Sequence, residues 1–332
     1  MVGRHRRLNR DEEGIRLDTI RARLIYNPTS GREEVKRKLS AILQRLERGG
    51  IETSCHATEC KGDATKAASE AVERGFDMII SAGGDGTLNE IVSGMAGHER
   101  RPSLGILPLG TTNDFARAHG IPRKWEHACD LITKRFTTPV DVGRANDSYF
   151  INIAGGGSLT ELTYEVPSKL KTMVGQLAYY MKGLEKITRL HPTHMKISAE
   201  GVGEFEEEFM LFLIANSNSV AGFDRLAPNA STSDGVFDVL ALRKCNLAEF
   251  LRIATMVMRG ELITNDQHFL HFQSKRIVVE TNDRVQLNLD GEFGGTLPCE
   301  FSILPAHLQV IVDELGVSSY RKNGGPNRAL ML

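Results

Sequence analysis

From residue 22 onward, short apolar runs alternate with amphipathic or glycine-bounded stretches, a rhythm that predicts strands and helices in turn. ARLIY (22–26) reads as a first strand, NPTSG (27–31) as a turn into a helix ending near Gly49–Gly50, and IETSCHA (51–57) as a second strand. A helix starting near Gly62–Asp63 runs to Gly75, where a C-terminal capping glycine belongs. DMIISA (77–82) is a third strand, GGDGTLNEIVSGM a loop and helix, and LGILP (104–108) a fourth strand. Such alternation predicts a parallel, helix-covered sheet. After about residue 136 the period changes. MKISAE, EFMLFLIAN, GVFDVLALRK, SKRIVVET, RVQLNLD, CEFSILP and LQVIV are strand-like, many alternating with period two, and only 167–190 and 246–259 look strongly helical. The expected class is α/β plus β. A polar tail (1–20) precedes an N-terminal parallel-sheet domain (21–136), and an antiparallel β-sandwich domain (137–305) follows. Segment 306–325 is a candidate to return to the first domain, and the site is expected in the cleft between the two.

Composition narrows the classes. The chain of 332 residues suits about two domains, and 41% apolar residues with 25% charged can bury a full core. Lys plus Arg number 41 against 42 Asp plus Glu, so no strongly basic surface for nucleic acid is expected. Five cysteines (Cys55, Cys60, Cys129, Cys245, Cys299) form no CxxC pair, which excludes a disulfide framework and a Cys-rich zinc module. A reducing, cytoplasmic location is expected. No apolar run approaches the roughly 18 residues that span a bilayer, and with charges in place of an apolar segment near the N-terminus no secretory signal is expected. His191 and His194 flank Pro192 without a third ligand nearby and read as surface histidines. Glycine is in excess at 32 residues, and the excess clusters, which points to backbone-lined sites.

The richest cluster is SAGGDGTLN (81–89), between a buried strand and a helix. Gly83, Gly84 and Gly86 let the backbone turn sharply and present N–H groups to an anion, and the following helix adds its positive end. Asp85 places a carboxylate beside the expected phosphates, where it can hold magnesium directly or through water. LGTTND (109–114) follows the next strand and brings Thr111 and Asn113 to the same carboxyl edge of the sheet. NPTSG follows the first strand on that edge. Three such turns point to a phosphate site, although the chain lacks both the P-loop pattern and the third glycine of the dinucleotide fingerprint. Asp234–Gly235 and Asp290–Gly291–Glu292 read first as hairpin turns. In the second, two carboxylates flank one glycine, and their repulsion is expected to raise one pKa toward that of a general base.

NPTSG, GGDGTLNEI, LPLGTTNDFAR, NASTSDGVFDV and LDGE, in this order over roughly residues 22–312, together resemble the diacylglycerol/lipid kinase family of the small soluble bacterial type. GGDGT alone is shared with NAD kinases and phosphofructokinases, and the GTTNDFAR block separates lipid kinases from NAD kinases. The resemblance implies an ATP- and magnesium-dependent kinase of a lipid hydroxyl, diacylglycerol being converted to phosphatidic acid. It implies ATP-binding positions at Asn27, Pro28, Thr29, Ser30, Gly31, Thr58, Gly83, Gly84, Asp85, Gly86, Thr87, Leu88, Asn89 and Thr111, with Asn113 beside them. Asp85, Asp114 and Asp141 match acidic positions of the magnesium and water network. Glu292 matches the proton acceptor, with Asp290 its neighbour. Asp234 matches the carboxylate ligand of a structural magnesium, completed by the carbonyls of Ser231 and Val236. Ser233 stands where relatives often carry a second Asp.

Residues 165–190 mix Lys169, Lys171, Lys182 and Lys186 with apolar residues at helical spacing. This reads either as a helix packed on the sheet or as a basic amphipathic helix resting on an anionic bilayer, and a lipid substrate favours the second. Arg32 can assist there. The expected enzyme is peripheral on the inner membrane face, with a homodimer as a candidate assembly. The rivals are a kinase of another lipid alcohol (phosphatidylglycerol, a polyprenol or a sphingoid base), an NAD kinase, and a nucleotide-sensing membrane-docking protein on a dead kinase scaffold.

Overall fold

The computed structural model describes residues 19–157, 191–217, 231–258 and 266–314. Four strands run parallel in the N-terminal half, β1 (Ile20–Tyr26), β2 (Ile51–Ala57), β3 (Met78–Gly83) and β4 (Ser103–Pro108), in the order β2-β1-β3-β4. Every residue of β3 and β4 is buried, as expected for strands covered on both faces. Helix α1 (Glu34–Arg48) packs with α5 (Trp125–Lys134) on one face, and α2 (Asp63–Glu73) with α3 (Asp85–Ala96) on the other. Helix α2 ends in a Schellman motif at Gly75, whose φ is 69°, with Phe76 N–H on the Ala71 carbonyl (3.1 Å) and Gly75 N–H on that of Val72 (3.0 Å).

The GGDGT stretch departs from the expected loop. Gly84 is the N-cap and Asp85 already belongs to α3, with Leu88 N–H donating to the Gly84 carbonyl at 3.1 Å. Gly83 still ends β3, while Gly84 and Gly86 belong to the start of the helix itself, which brings the helix N-terminus to the sheet edge.

The remaining strands form an antiparallel assembly. They are β5 (Thr137–Ala145), β6 (Ser148–Phe150), β7 (Ile153–Gly157), β8 (Thr193–Ala199), β9 (Gly203–Ala215), β10 (Phe237–Arg243), β11 (Phe269–Ser274), β12 (Arg276–Glu280), β13 (Gln286–Leu289), β14 (Glu292–Thr296) and β15 (Cys299–Ile311). Their order is β14-β13-β7-β9-β8-β12-β15, with β10 and β11 added beyond β9, and β5 and β6 beyond β15. A short α4 (Asp114–Ala118) follows β4, and α6 (Leu247–Met258) follows β10. Phe150 stacks on Phe237 (5.5 Å between centroids) and Phe212 meets Phe301 edge-on (6.1 Å), so aromatic pairs fill this second core.

CEFSILP and LQVIV, expected as separate strands, are one strand. β15 continues through a bulge between Leu304 and Leu308, where Ala306 takes φ 50°. Its first part packs into the sandwich core. Its last part, with Val310 paired to Leu104 of β4, packs into the α/β core. The expected parallel-sheet α/β half and antiparallel β-sandwich are both present, joined through β15 and β5. Strand β7 carried little signal because IAGGG has poor strand propensity. Its glycines are demanded by packing, since a Cβ at Gly156 would stand 2.7 Å from the Phe212 ring.

Candidate functional site

In the parallel sheet, the chain leaves β1 toward the α1 face and β3 toward the α3 face, so the order reverses between these neighbours. Ligands of open α/β sheets bind in that crevice, beyond the carboxyl ends of the strands. A cleft of about 990 Å³ lies there, lined by Asn27, Pro28 and Thr29 after β1, Thr58 to Lys61 after β2, and Gly86, Thr87 and Asn89 in α3. Its far wall is Tyr149 with Glu292, Phe293 and Gly294 of the β13–β14 hairpin, so both halves of the molecule contribute.

The turn after β1 is shaped by Asn27. Its Oδ1 accepts the Thr29 N–H (2.9 Å) and hydroxyl (2.8 Å), an Asx turn that aims Thr29 at the cleft. Gly31 has φ 56° and lies so close to the Leu109 carbonyl that no Cβ fits, which locks this turn to the one after β4. Gly84 and Gly110 touch backbone to backbone in the same way. Asn113 braces that second turn, its Oδ1 accepting the Gly110 N–H (3.0 Å) and its amide donating to the Gly110 carbonyl (2.9 Å). Thr111 is exposed on the turn.

Several of the expected nucleotide residues do other work. Leu88 points its side chain into the α/β core. Asn89 lines the cleft but donates to Asp290 Oδ2 at 2.8 Å and to the Tyr149 carbonyl at 3.3 Å, tying α3 to the sandwich. Asp85 Oδ1 accepts the Phe115 N–H at 3.3 Å, and Asp114 pairs with Arg117 at 2.6 Å. The N–H groups of the first helical turn have no intrahelical acceptor, and Gly86, where a Cβ would meet nothing within 4 Å, leaves open space before them.

The Asp290–Gly291–Glu292 segment divides its two carboxylates. Asp290 (φ 52°) and Gly291 (φ 94°) form the two-residue loop of the hairpin, with Leu289 paired to Glu292. Asp290 Oδ1 accepts the N–H groups of Asn152 (2.8 Å) and Ile153 (2.9 Å), and Oδ2 accepts those of Ile151 (2.7 Å) and the Asn89 amide. Burial pushes its carboxyl pKa up, against the pull of these donors. The expected cause, repulsion by Glu292, is therefore corrected: burial raises Asp290, and Glu292 turns the other way. Glu292 Oε2 meets Lys61 Nζ at 2.6 Å across the cleft.

The 231–236 loop joins the halves elsewhere. Asp141 Oδ2 accepts the Gly235 N–H (2.8 Å), its Oδ1 the Ala306 N–H (2.7 Å), and its own N–H donates to the Thr232 carbonyl (2.6 Å). Asp141 thus anchors backbone away from the cleft; burial raises its carboxyl pKa. His119 Nδ1 donates to the Phe115 carbonyl (2.9 Å), and its Nε2 accepts the Thr232 hydroxyl (2.9 Å); burial keeps the ring neutral by lowering its pKa. Asp234 accepts the Val236 N–H at 3.2 Å. Burial, then the charges of Asp141 and Asp238, push its carboxyl up to about 6. Ser231 and Ser233 share a hydroxyl contact at 3.1 Å. The Asp234 carboxylate and these serine hydroxyls are hard oxygen donors of the kind that calcium and magnesium take.

Lys169, Lys171, Lys182 and Lys186 lie outside the described residues, as do the tail to residue 18 and the stretch beyond 314; Arg32 is described in its backbone alone. The sequence reading missed Lys61, Glu90 and His119. Glu90 accepts the Gly62 (3.0 Å) and Ala64 (3.2 Å) N–H groups and so caps α2 from a distance of 28 and 26 residues, a pairing no local pattern reports.

The diacylglycerol kinase catalytic domain model matches residues 21–145, and the YegS C-terminal NAD kinase beta sandwich-like domain model matches residues 162–312. A diacylglycerol kinase of Bacillus subtilis is 57% identical over 293 residues, covering 88% of this chain and 96% of that protein. The chain belongs to the diacylglycerol kinase family. A second diacylglycerol kinase, from Staphylococcus haemolyticus, is 47% identical over 289 residues, 87% of each chain. The crystal structure of a putative diacylglycerol kinase from Bacillus anthracis superposes with a TM-score of 0.79 at 28% identity, covering 92% of this chain and 99% of that one. An NAD kinase from Archaeoglobus fulgidus, in complex with ATP, shares the fold at a TM-score of 0.52 and 14% identity. The lipid kinase expected from the sequence stands on this membership. Among the described residues, no helix is long and apolar enough to cross a membrane.

Proposed function

We propose that this kinase transfers the γ-phosphoryl group of ATP to the hydroxyl of diacylglycerol, giving phosphatidic acid. The observation that carries the reading is Glu292, which faces the cleft opposite the N-terminus of α3. One wall offers an anion-binding helix end and short hydroxyl side chains, and the other a carboxylate with the apolar Phe293 beside it. The triphosphate lies over Gly86 and Thr87, with the turns at Asn27–Gly31, Gly83–Asp85 and Thr111 shaping its seat, and Thr58 at the edge. The hydroxyl arrives from the Phe293 side. Its oxygen bonds to the γ-phosphorus as the bond from that phosphorus to the β–γ bridging oxygen breaks. The electron pair leaves with ADP, and the hydroxyl proton goes to Glu292. Positioning and charge neutralisation supply most of the acceleration in such transfers.

Magnesium, when bound, neutralises charge on the phosphate oxygens. Asp85, with Asp114 nearby, is the carboxylate that would hold it at the nucleotide, and Asp234 with the carbonyls of Ser231 and Val236 would hold a structural ion. Lys169, Lys171, Lys182, Lys186 and Arg32 would dock the enzyme on an anionic membrane, where its water-insoluble substrate resides. Incubation with γ-labelled ATP, magnesium and a panel of lipid alcohols in mixed micelles tests the reading. Label should enter phosphatidic acid in preference to the products of phosphatidylglycerol, a polyprenol or a sphingoid base; preference for one of those would replace diacylglycerol as the substrate.

A further inference from the structure

We infer that Lys61 is a γ-phosphate-positioning residue that gives up Glu292 when ATP enters the cleft. The inference rests on the kinase reading and on Glu292 as proton acceptor. Lys61 stands on the loop between β2 and α2, which is fixed at several points. Thr58 N–H donates to the Tyr26 carbonyl (2.9 Å), Glu59 N–H to Asp63 Oδ2 (2.9 Å), and Gly62 and Ala64 N–H to the two oxygens of Glu90. Asp63 is itself held by His56 Nε2 at 3.2 Å. The backbone of this loop is therefore set, while the lysine side chain is exposed and free to re-aim along its four-carbon stem.

Its place follows from the transfer geometry. A proton acceptor sits roughly 3 Å from the attacking oxygen, and that oxygen about 3–3.5 Å from the phosphorus. The γ-phosphorus therefore lies about 6 Å from the Glu292 carboxylate. Lys61 Nζ is 2.6 Å from that carboxylate and lines the same cleft as Thr29 and Gly86, so a small swing brings it onto the γ-phosphate oxygens. An exposed lysine–carboxylate pair contributes little, so exchanging one carboxylate for a more highly charged phosphate costs little. The ammonium then opposes the charge on the transferring group.

The test is calorimetric titration of wild type, Lys61→Met and Lys61→Arg with ADP and with a non-hydrolysable ATP analogue, alongside melting curves and steady-state kinetics. Lys61→Met should lose about tenfold in affinity for the analogue, keep its ADP affinity and melting temperature, and raise KM for ATP while lowering kcat. Lys61→Arg should recover part of the analogue affinity. Equal losses for ADP and analogue would make Lys61 a support of the loop and overturn the assignment. Unchanged affinity for both would leave it as a surface partner of Glu292 and also overturn it. Because the binding arms do not depend on the acceptor, they judge Lys61 even if wild type prefers another lipid alcohol.

Discussion

Asp234–Gly235 and Asp290–Gly291 are the same dipeptide, each with a glycine of positive φ (73° and 94°), and the sequence reads both as turns. Their carboxylates end in opposite situations. Asp290 is surrounded by four N–H donors from segments 138 and 201 residues away, so its lone pairs are used, even though burial still raises its pKa. Asp234 takes the Val236 N–H, and burial, then the charges of Asp141 and Asp238, push its pKa up to about 6. The first turn ties distant segments together; the second leaves its carboxylate beside like charges. What separates them is the set of donors the fold brings up, not the turn.

The contrast extends to Glu292, the exposed carboxylate two residues from Asp290, and it can be broken from several sides. The largest effect expected is on chemistry. Glu292→Gln keeps the shape and removes the proposed proton acceptor, so turnover should fall by about 10²–10⁴ with ATP affinity preserved, as steady-state kinetics and nucleotide titration would register. Next is stability. Asp290→Asn replaces an acceptor for four N–H groups by an amide that opposes two of them, and chemical denaturation should show a loss of about 3 kcal/mol. A variant as stable as wild type would remove Asp290 from the role of anchor.

A smaller effect should separate Asp234 by pH. A carboxyl whose folded pKa is raised favours the protonated state, so its stabilising contribution is full below pH 3.8 and is lost as pH rises through about 6. Without magnesium, stability should therefore drop by on the order of 1 kcal/mol between pH 5 and 7, a figure already reduced for solvent screening. Asp234→Asn should flatten that step. Added magnesium should raise the melting temperature more at pH 7 than at pH 5, because the ion needs the ionised carboxylate; equal stabilisation at both would count against a metal here. Least of all, Lys182→Ala with Lys186→Ala should slow phosphorylation in anionic vesicles and leave a short-chain soluble diacylglycerol nearly untouched, since screened attraction fades over about 8 Å at physiological salt. Equal losses in both assays would end the docking reading.

The parallel half was readable because each element announces itself locally. Buried strands run unbroken in apolar residues, and glycine or Asx turns sit at the ends of β1, β3 and β4. The motif positions at 27–31 and 83–89 reached one sheet edge for the same reason. Less was legible where a residue works through distant partners. Asp290 looked like a member of a catalytic pair because its neighbour in sequence is Glu292, whereas its neighbours in space are the backbone of 151–153. Lys61 carried no signal, since a lysine before a helix is common, and only the hairpin from the other half gives it meaning. β15 was split in two because Pro305–Ala306 interrupts the alternation, although the strand passes through that bulge and feeds both cores.

The division of labour between Asp290 and Glu292 can be read directly from amide hydrogen exchange at Ile151, Asn152 and Ile153. In wild type these amides donate to Asp290 and should exchange slowly. Asp290→Asn should speed their exchange by at least tenfold, and Glu292→Gln should leave it unchanged while turnover collapses. Fast exchange in Glu292→Gln, or unchanged exchange in Asp290→Asn, would contradict the assignment of one carboxylate to the hairpin and the other to the chemistry.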